Sequence, residues 1–448
     1  MSEPITIPEI QDFFLNLFAP DKTPETNVIL VLVTGAGTQL IPWILQPGAS
    51  RCLMRASVPY ATSALQKTLQ YGSNKVIIDK YVSNEIAYLM ACASKRDATN
   101  DYLSTSGNLR VLGNINVIGI GLTAAIVTNR PKAGPHECIV AFESGNTHGC
   151  MSIQMSKGAR TRDEEDYVCS RLALELLCVA SRKEILRRDF LLEGEEIHYV
   201  QEDIPDVIDS IRARETSMAL FVQKPGLSTF DELTLDNFKI YSNITLPEGS
   251  LVYPGSFNPL HEGHIALIIS TILSRGWSLD PSAKNAHPSV VFEISVVNAD
   301  KPSLDRDEII RRIKQFTDLN PLLKESGLIN YCVCITSVPF FLAKSNIFGN
   351  CSFIIGADTC IRILDSKYYG NSEFALVDSL GRINQNNCNF IVGGRVDSNG
   401  TFQTADTILS SDLAQRVLYS DRLKAMFSSV PDFRVDLSSS QIRERGNP

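Results

Sequence analysis

Residues 251–267 read LVYPGSFNPLHEGHIAL, a stretch that predicts a strand, a tight turn and a helix in succession. The short apolar strand runs into a glycine turn, Pro259 ends regular pairing, and an apolar pattern with helical spacing follows. The chain has only six histidines, and two of them, His261 and His264, stand at the start of this helix. We therefore expect both imidazoles to converge at the helix N-terminus, where unpaired backbone N–H groups and the helix dipole attract anions.

The bulk composition bounds the class of protein. A chain of 448 residues is too long for one ordinary core, so we expect about two or three domains. Its 44% hydrophobic and 21% charged residues are typical of globular proteins. The formal net charge of −8 argues against a nucleic-acid partner, because phosphate-backbone binding needs a surplus of Lys and Arg. It leaves room for a small pocket that binds phosphates.

The N-terminus and the longest apolar run argue against export and against a membrane partner. MSEPITIPEIQDFF starts acidic and lacks the basic and apolar pattern of a signal peptide. The apolar run at 117–127 is far shorter than the ~20 residues that cross a bilayer. We therefore expect a cytoplasmic protein. The cysteines are scattered without zinc spacing, so we predict no protein-bound metal.

Alternating strand and helix patterns predict α/β architecture in both halves. In the first half the predicted strands are 28–33, 75–78, 115–121 and 138–144, and the predicted helices include 83–93 and 162–181. In the second half the predicted strands are 251–253, 289–297, 351–358 and 389–394, before a short terminal helix. Residues 186–247 are more charged and less regular. We therefore predict domains at 1–185 and 248–448, joined by a connecting segment at 186–247.

Polar groups follow three further elements of the second half. Asp358 ends the strand FIIGAD, where a carboxylate can hydrogen-bond a nucleotide ribose in a doubly wound sheet. FIVGGR is a second such strand and ends at Arg395. LSSSQIRER begins with serines that can cap a helix, with Arg443 one turn in. Serine hydroxyls, helix N–H groups and a guanidinium suit a triphosphate.

Two imidazoles at a helix start suit one task well, which is holding a phosphate while charge builds on it. Phosphoryl and nucleotidyl transfer depend mainly on positioning and charge stabilisation rather than on covalent help from the protein. Gly255 would let a ligand phosphate approach the backbone closely. The second half is therefore predicted to bind a nucleotide at this turn.

The string GSFNPLHEGH resembles the GxFxPxHxGH signature of the nucleotidylyltransferase superfamily. Taken in order with GAD, the strand ending in Arg395 and SSSQIR, it is similar to the nicotinamide/nicotinate mononucleotide adenylyltransferases over about residues 249–446. This resemblance implies a Rossmann-like parallel sheet in 248–448. It also implies transfer of AMP from ATP to nicotinamide or nicotinate mononucleotide, with release of pyrophosphate, as in NAD biosynthesis.

The resemblance also implies roles for individual residues. His261 and His264 would steady the α-phosphate, and Arg443 would act with the serines on the β- and γ-phosphates. The residues implied in nucleotide binding are Gly255, Ser256, Phe257, Lys301, Gly356, Asp358, Arg395, Ser439 and Ser440. Magnesium would arrive on ATP, held by phosphates and water. The family often stacks a Trp on the pyridine ring after GAD, and here Tyr368 or Tyr369 could replace it.

The first half resembles the CinA-type C-terminal domain, a nicotinamide-mononucleotide amidohydrolase in bacteria. The similarity rests on PGAS at 47–50, on Tyr60 and on VSNE at 82–85. Val33 stands where that family has its nucleophilic serine, and valine has no group that attacks an amide. The adjacent Thr34 could serve only after a register change. We therefore expect a CinA C-terminal-like α/β domain without amidase activity, acting as a structural, dimerising or ligand-sensing module.

Other readings of the sequence stay open. The acceptor could be another small phosphorylated molecule, such as phosphopantetheine or a phospho-alcohol. The chain could be a non-catalytic nucleotide-binding regulator, or a bifunctional amidase and adenylyltransferase. The sequence leaves a homo-oligomer open as well.

Replacing Arg443 by alanine is expected mainly to weaken ATP binding, because a guanidinium can donate two parallel hydrogen bonds to phosphate oxygens. We expect the KM for ATP to rise by roughly ten- to a hundredfold. Initial rates of pyrophosphate release across an ATP series measure it. An unchanged KM for ATP would contradict the role given to this residue.

Overall fold

The computed structural model describes residues 7–18, 26–70, 76–130, 132–145, 147–183, 188–204, 206–226, 233–297, 303–396, 401–431 and 433. Within them the chain forms two compact units, one drawn from residues 1–105 and 114–205 and the other from 106–113 and 206–448. Both units combine helices with sheets that contain parallel strands, which confirms the predicted α/β class.

The first unit is built around one sheet. Its strands are β1 (Thr26–Thr34), β2 (Leu53–Ser57), β3 (Ile115–Ala125), β4 (His136–Ser144), β5 (Thr147–Met155) and β6 (Ile197–Asp203). Its helices are α1 (Ile7–Phe18), α2 (Leu40–Ile44), α3 (Thr62–Leu69), α4 (Asn84–Ser106) and α5 (Arg162–Ala180). In the described part of this unit the strand order is β2-β1-β3-β4-β5-β6. β1 pairs in parallel with β2 and β3, and the pairs from β3 to β6 are antiparallel.

Helices α4 and α5 cover opposite faces of the first sheet. Helix α5 begins at a capping box, in which Thr161 and Glu164 each accept the other's backbone N–H. Its apolar residues share a core with Ile120 of β3. A side chain at position 121, the next residue along β3, would point to the other face, because successive Cβ positions of a strand alternate between faces. A Cβ there would lie 2.4 Å from the Ala87 carbonyl oxygen, so α4 rests directly on the strand backbone.

The second unit is built around a larger sheet. The strands of this unit are β7 (Met218–Gln223), β8 (Phe238–Ser242), β9 (Leu251–Pro254), β10 (Val290–Ser295), β11 (Tyr331–Thr336), β12 (Ser352–Gly356), β13 (Asn389–Gly393), β14 (Arg395–Val396), β15 (Phe402–Gln403) and β16 (Phe427–Ser429), of which β14 and β15 pair only with each other among the described residues. Its helices are α6 (Val207–Arg212), α7 (Glu262–Ser274), α8 (Arg306–Ile313), α9 (Pro321–Ser326), α10 (Phe341–Phe348), α11 (Ala357–Ile363), α12 (Glu373–Gln385), α13 (Ala405–Leu409), α14 (Asp412–Val417) and α15 (Asp421–Lys424).

The strand order of the second sheet defines where a ligand is expected. Among the described residues the order is β16-β13-β12-β9-β10-β11-β7-β8, and the first six of these strands are parallel. Numbered along the chain from β9, the six follow the 3-2-1-4-5-6 order of doubly wound sheets. The order reverses between β9 and β12. In open sheets of this kind, ligands bind beyond the carboxyl ends of the strands at that point.

Two regions differ from a simple alternation of elements. Residues 186–247, predicted as a connecting segment, contribute β6 to the first sheet and α6, β7 and β8 to the second unit.

The strand predicted at 75–78 is wrong over 76–78, where Ile77 is 77% exposed and the backbone joins no sheet. The predicted terminal helix lies outside the described residues. No described helix combines the length and apolarity needed to cross a membrane.

Replacing Gly121 by alanine is expected to lower the free energy of unfolding by about 1–3 kcal/mol, because the added methyl group overpacks the contact between β3 and α4. Urea unfolding followed by circular dichroism measures the change. Gly134→Ala is the matched control, since in the described part of the chain no heavy atom outside Gly134 and its two sequence neighbours lies within 4 Å of its added Cβ. Equal stability of the two variants would contradict the close approach of α4.

Candidate active site

The turn between β9 and α7 is held by polar side chains from the region of α8. The buried Arg312 donates from Nη1 to the carbonyl oxygen of Ser256 at 2.9 Å. The Gln315 amide nitrogen donates to the Phe257 carbonyl at 2.9 Å, and its amide oxygen accepts from the Leu260 N–H at 2.8 Å. These bonds fix the backbone of the GSFNP stretch from a separate element.

The ring of Phe257 supports the turn from the core. Its φ is +42°, and its side chain is fully buried. The ring packs edge-to-face against His264 at 5.0 Å and against Phe292 at 5.5 Å. A Cβ on Gly255 would lie 2.6 Å from this ring, so a glycine is required there. The nucleotide contact predicted for Phe257 therefore stays a prediction for its backbone, since its ring is enclosed.

The two histidines form the N-terminal cap of α7. His261 Nδ1 accepts from the Gly263 N–H at 3.2 Å, and His264 Nδ1 accepts from the His261 N–H at 3.2 Å. Their rings are stacked with centroids 3.7 Å apart and planes at 27°. Because both Nδ1 atoms accept, each neutral ring carries its proton on Nε2. Among the described residues neither Nε2 has a hydrogen-bond partner, so each can donate to a ligand oxygen.

Burial keeps both imidazoles neutral. It lowers the pKa of His264 to about 3, and the neighbouring His261 lowers that pKa further. Burial and the positive charge of Arg395 also lower the pKa of His261. The site thus presents two neutral N–H donors rather than two fixed cations near pH 7. An anion placed against them would be stabilised by these donors and would raise both pKa values.

The carboxyl ends of β12 and β13 bring two predicted residues together. Asp358, one residue into the first turn of α11, forms an ion pair with Arg395 of β14 at 2.7 Å. Gly356 is the last residue of β12 and the N-cap of α11. Arg395 is also close enough to His261 to shift its pKa. The structure therefore gathers these four residues beside the reversal of strand order.

A cavity of about 690 Å³ opens beside the turn. Gly255, Ser256 and Asn258 of the turn line it, and so do the predicted stacking residues Tyr368 and Tyr369. Both tyrosine rings are half-buried, and the cavity that they line is large enough for a mononucleotide-sized ligand. Their stacking on a pyridine ring stays a prediction.

The two tyrosines differ in their surroundings. The Tyr369 hydroxyl donates to the Ile363 carbonyl at 3.0 Å, and burial raises its pKa to about 12. The Lys367 ammonium lies 4.8 Å from the centre of the Tyr368 ring. Tyr369 is therefore anchored by its hydroxyl, whereas Tyr368 carries a cation on one face.

Several residues of the cavity were missed from the sequence. Phe340, 49% exposed, and Phe341 add two aromatic side chains, and the exposed Arg362 adds a cation. Lys344 and Glu293 form a buried ion pair in its wall. One signal was present, since both charged residues interrupt apolar runs, FFLAKSNIF and SVVFEISVV. A charge inside such a run is seldom buried without a partner.

Four predicted residues lie outside the described part of the chain. Lys301, Ser439, Ser440 and Arg443 keep their predicted roles as phosphate ligands, and nothing in the structure bears on them.

Val33, the position where the resemblance to the CinA-type domain predicts a nucleophile, lies inside the core of the first unit. The Val33 side chain is fully buried in β1. The Thr34 hydroxyl is nearly buried and donates to the Pro59 carbonyl at 3.3 Å. Tyr60, from the same resemblance, is exposed. No hydroxyl is therefore presented at the position of Val33.

The glycine-rich turn after β1 encloses a carboxylate of its own chain. The backbone N–H groups of Gly37, Thr38 and Gln39 donate to the Asp166 carboxylate at 2.7, 3.1 and 3.0 Å. The Thr38 hydroxyl also donates to it at 3.1 Å. Because Asp166 takes these donors, the turn is satisfied without a ligand.

Comparisons with known proteins give a partial likeness. No protein-family model matches the chain, and no curated protein matches it. The competence/damage inducible protein CihA from Agrobacterium tumefaciens is 18% identical, with a TM-score of 0.30, over 40% of this chain and 99% of that chain. A competence-damaged protein (CinA) superfamily protein from Escherichia coli is 14% identical, with a TM-score of 0.30, over 40% of this chain and 91% of that chain. Scores this low carry no argument about activity.

Replacing His264 by glutamine is expected to flatten the acid dependence of stability. In the unfolded chain His264 binds a proton below about pH 6.5, whereas in the folded protein it stays unprotonated down to about pH 3. Folding is therefore favoured above that window, and stability falls as the pH drops through it. Urea unfolding at several pH values between these limits measures the slope. A variant with the wild-type slope would contradict the neutral, buried state of His264.

Proposed function

We propose that the second unit is a nucleotidyltransferase that transfers AMP from ATP to nicotinamide or nicotinate mononucleotide and releases pyrophosphate. One observation carries the proposal. The stacked pair of His261 and His264 presents two neutral N–H donors at the start of α7, beside the reversal of strand order. Such donors suit a phosphate on which charge increases during transfer. The resemblance of the GSFNPLHEGH string supports the same reaction.

The proposed step is an in-line displacement. A phosphate oxygen of the acceptor forms a bond to the α-phosphorus of ATP, and the bond from that phosphorus to the β-phosphate oxygen breaks. Pyrophosphate leaves with the bonding electrons, so atoms and charge balance without another reactant. His261 and His264 would donate to the non-bridging oxygens of the α-phosphate, and the rigid turn would hold the reacting groups in line.

The ion pair of Asp358 and Arg395 fits the nucleotide. A carboxylate beyond the end of β12 can accept from ribose hydroxyls. Arg395 holds that carboxylate at 2.7 Å and adds positive charge on the side of His261, where phosphates would lie. We assign ribose binding to Asp358 and neutralisation of the negative phosphate charge to Arg395.

The proposed reaction uses magnesium that arrives on ATP. Among the described residues, no group of three or more His, Cys, Asp or Glu side chains could hold a metal ion. The ion would be held by phosphate oxygens and water, and it would supply charge neutralisation at the leaving pyrophosphate.

The aromatic side chains of the cavity favour a ring-bearing acceptor. Phe340, Tyr368 and Tyr369 offer aromatic faces in one cavity with the GSFNP turn. Planar rings stack on such faces. An extended acceptor such as phosphopantetheine would leave these faces without a matching partner. This observation supports a pyridine mononucleotide over the other phosphate acceptors.

For the first unit we propose a structural or ligand-sensing role without amide hydrolysis. Val33 is buried, the Thr34 hydroxyl is already engaged, and the turn after β1 is occupied by Asp166. Release of ammonia from nicotinamide mononucleotide by the purified protein would contradict this assignment and support a bifunctional enzyme.

Pyrophosphate release by the purified protein tests the transferase. ATP, magnesium and each mononucleotide are supplied in separate reactions. We expect release with at least one of them, and His264→Ala should lower kcat by about a hundredfold or more, because a donor to the transition state is lost. Far-UV circular dichroism verifies that the variant folds.

His198→Ala is the control, since that histidine is exposed on β6 of the other unit. Its turnover should equal that of the wild type. A fully active His264→Ala variant would overturn the mechanism. ATP binding without pyrophosphate release would favour the non-catalytic regulator.

A further inference from the structure

The cavity wall contains a buried ion pair that the transfer step does not use. Lys344 of α10 and Glu293 of β10 both line the cavity, yet their side chains are only 4% and 0% exposed. The Lys344 ammonium donates to one Glu293 oxygen, and the Thr336 hydroxyl donates to the other. Lysine and glutamate are rarely buried to this degree, and such pairs add little to stability compared with apolar residues. The pair therefore calls for a role in recognition.

Lys344 has hydrogen-bonding capacity left for a ligand. An ammonium group has three N–H donors, and Glu293 is its one hydrogen-bond acceptor among the described residues. The ring of Phe341 lies 5.9 Å from Nζ and leaves the other donors unused. The Glu293 side chain is 0% exposed and that of Lys344 is 4% exposed, so of the two charged groups only the ammonium has surface that a ligand can reach.

The charge of this pair discriminates between ligands. A carboxylate of the ligand would lose its water shell and would lie near Glu293, whose repulsion offsets the attraction of Lys344. A neutral carbonyl group accepts a hydrogen bond from Lys344 without either penalty. The remaining cations of the cavity do not change this balance. Arg312 is paired with Glu308 at 2.7 Å, and Arg362 is exposed, where it can meet the acceptor's phosphate.

We propose that Lys344, neutralised by Glu293, selects an acceptor whose planar ring carries a carboxamide over one whose ring carries a carboxylate. The proposal rests on the proposed function, because it names which pyridine mononucleotide the transferase uses. The discriminating residues act on the ring substituent and not on the reacting phosphate.

The wild-type protein gives the first test. The values of kcat/KM for nicotinamide and nicotinate mononucleotide are compared at saturating ATP and magnesium, with pyrophosphate as the readout. We expect the amide to be preferred by at least about tenfold, as one like charge in a shielded site implies. Equal use of both, or a preference for the acid, overturns the selection while leaving the transferase intact.

Binding keeps the two proposals distinguishable. If neither mononucleotide releases pyrophosphate, the proposed function fails, and calorimetric dissociation constants of the two ligands then test the selection alone. Tighter binding of the amide upholds it. Equal binding, or no binding of either ligand, overturns it.

Charge variants test the residues themselves. Glu293→Gln leaves the ammonium uncompensated and should move the amide-to-acid ratio toward the acid by at least about tenfold. Because an unpaired buried charge can prevent folding, the double variant Glu293→Gln with Lys344→Met is made as well. It lacks both the charge and the donor, so its ratio should approach one.

Glu325→Gln is the matched control, since Glu325 is an exposed glutamate of α9 that does not line the cavity. Its ratio should equal that of the wild type. If the charge variants lower the rates with both substrates equally, the pair has only a structural role and the proposal is wrong.

Discussion

The hydrogen bonds that Arg312 and Gln315 make to the turn before α7 are the constraint on which the candidate site depends. They hold the carbonyl oxygens of Ser256 and Phe257 and the N–H of Leu260, three backbone groups that a turn cannot satisfy within itself. With the backbone fixed in this way, the first turn of α7 begins at one defined place, and its imidazoles take their positions from it. The chemistry of the site is thus supported by residues that need not touch a ligand.

The sequence predicted much of this arrangement because its signals are local. The strand, the glycine turn and the helix start follow one another within residues 251–267, and adjacent residues of a chain are constrained to be close. The carboxyl ends of β12 and β13 could also be placed, since parallel strands end at the same edge of a sheet. What remained hidden depended on distant pairing. Glu293 and Lys344 are 51 positions apart, so each looked like an isolated charge in an apolar run until the fold joined them.

The errors have physical causes as well. The run at 75–78 has the apolar composition of a strand, yet composition alone does not provide a neighbouring strand to pair with, and Ile77 stays exposed. Phe257 is a different case, because its predicted nucleotide contact stays a prediction while its buried ring packs against His264 in the core. A motif records which residue types a site requires, and it does not separate those that bind from those that support. The same distinction applies to the turn after β1, whose glycines surround Asp166.

The buried pair of Glu293 and Lys344 also restricts how this chain can change over time. Loss of either residue alone strands a charge in the cavity wall, which is strongly destabilising, whereas loss of both leaves none. The two positions are therefore epistatic, and a lineage can leave the present state only through a paired or compensated replacement. A substitution at only one of the two positions destabilises the fold, and selection removes it before any change in substrate preference can be favoured. The preference proposed for the pair would thus be insulated from single mutations.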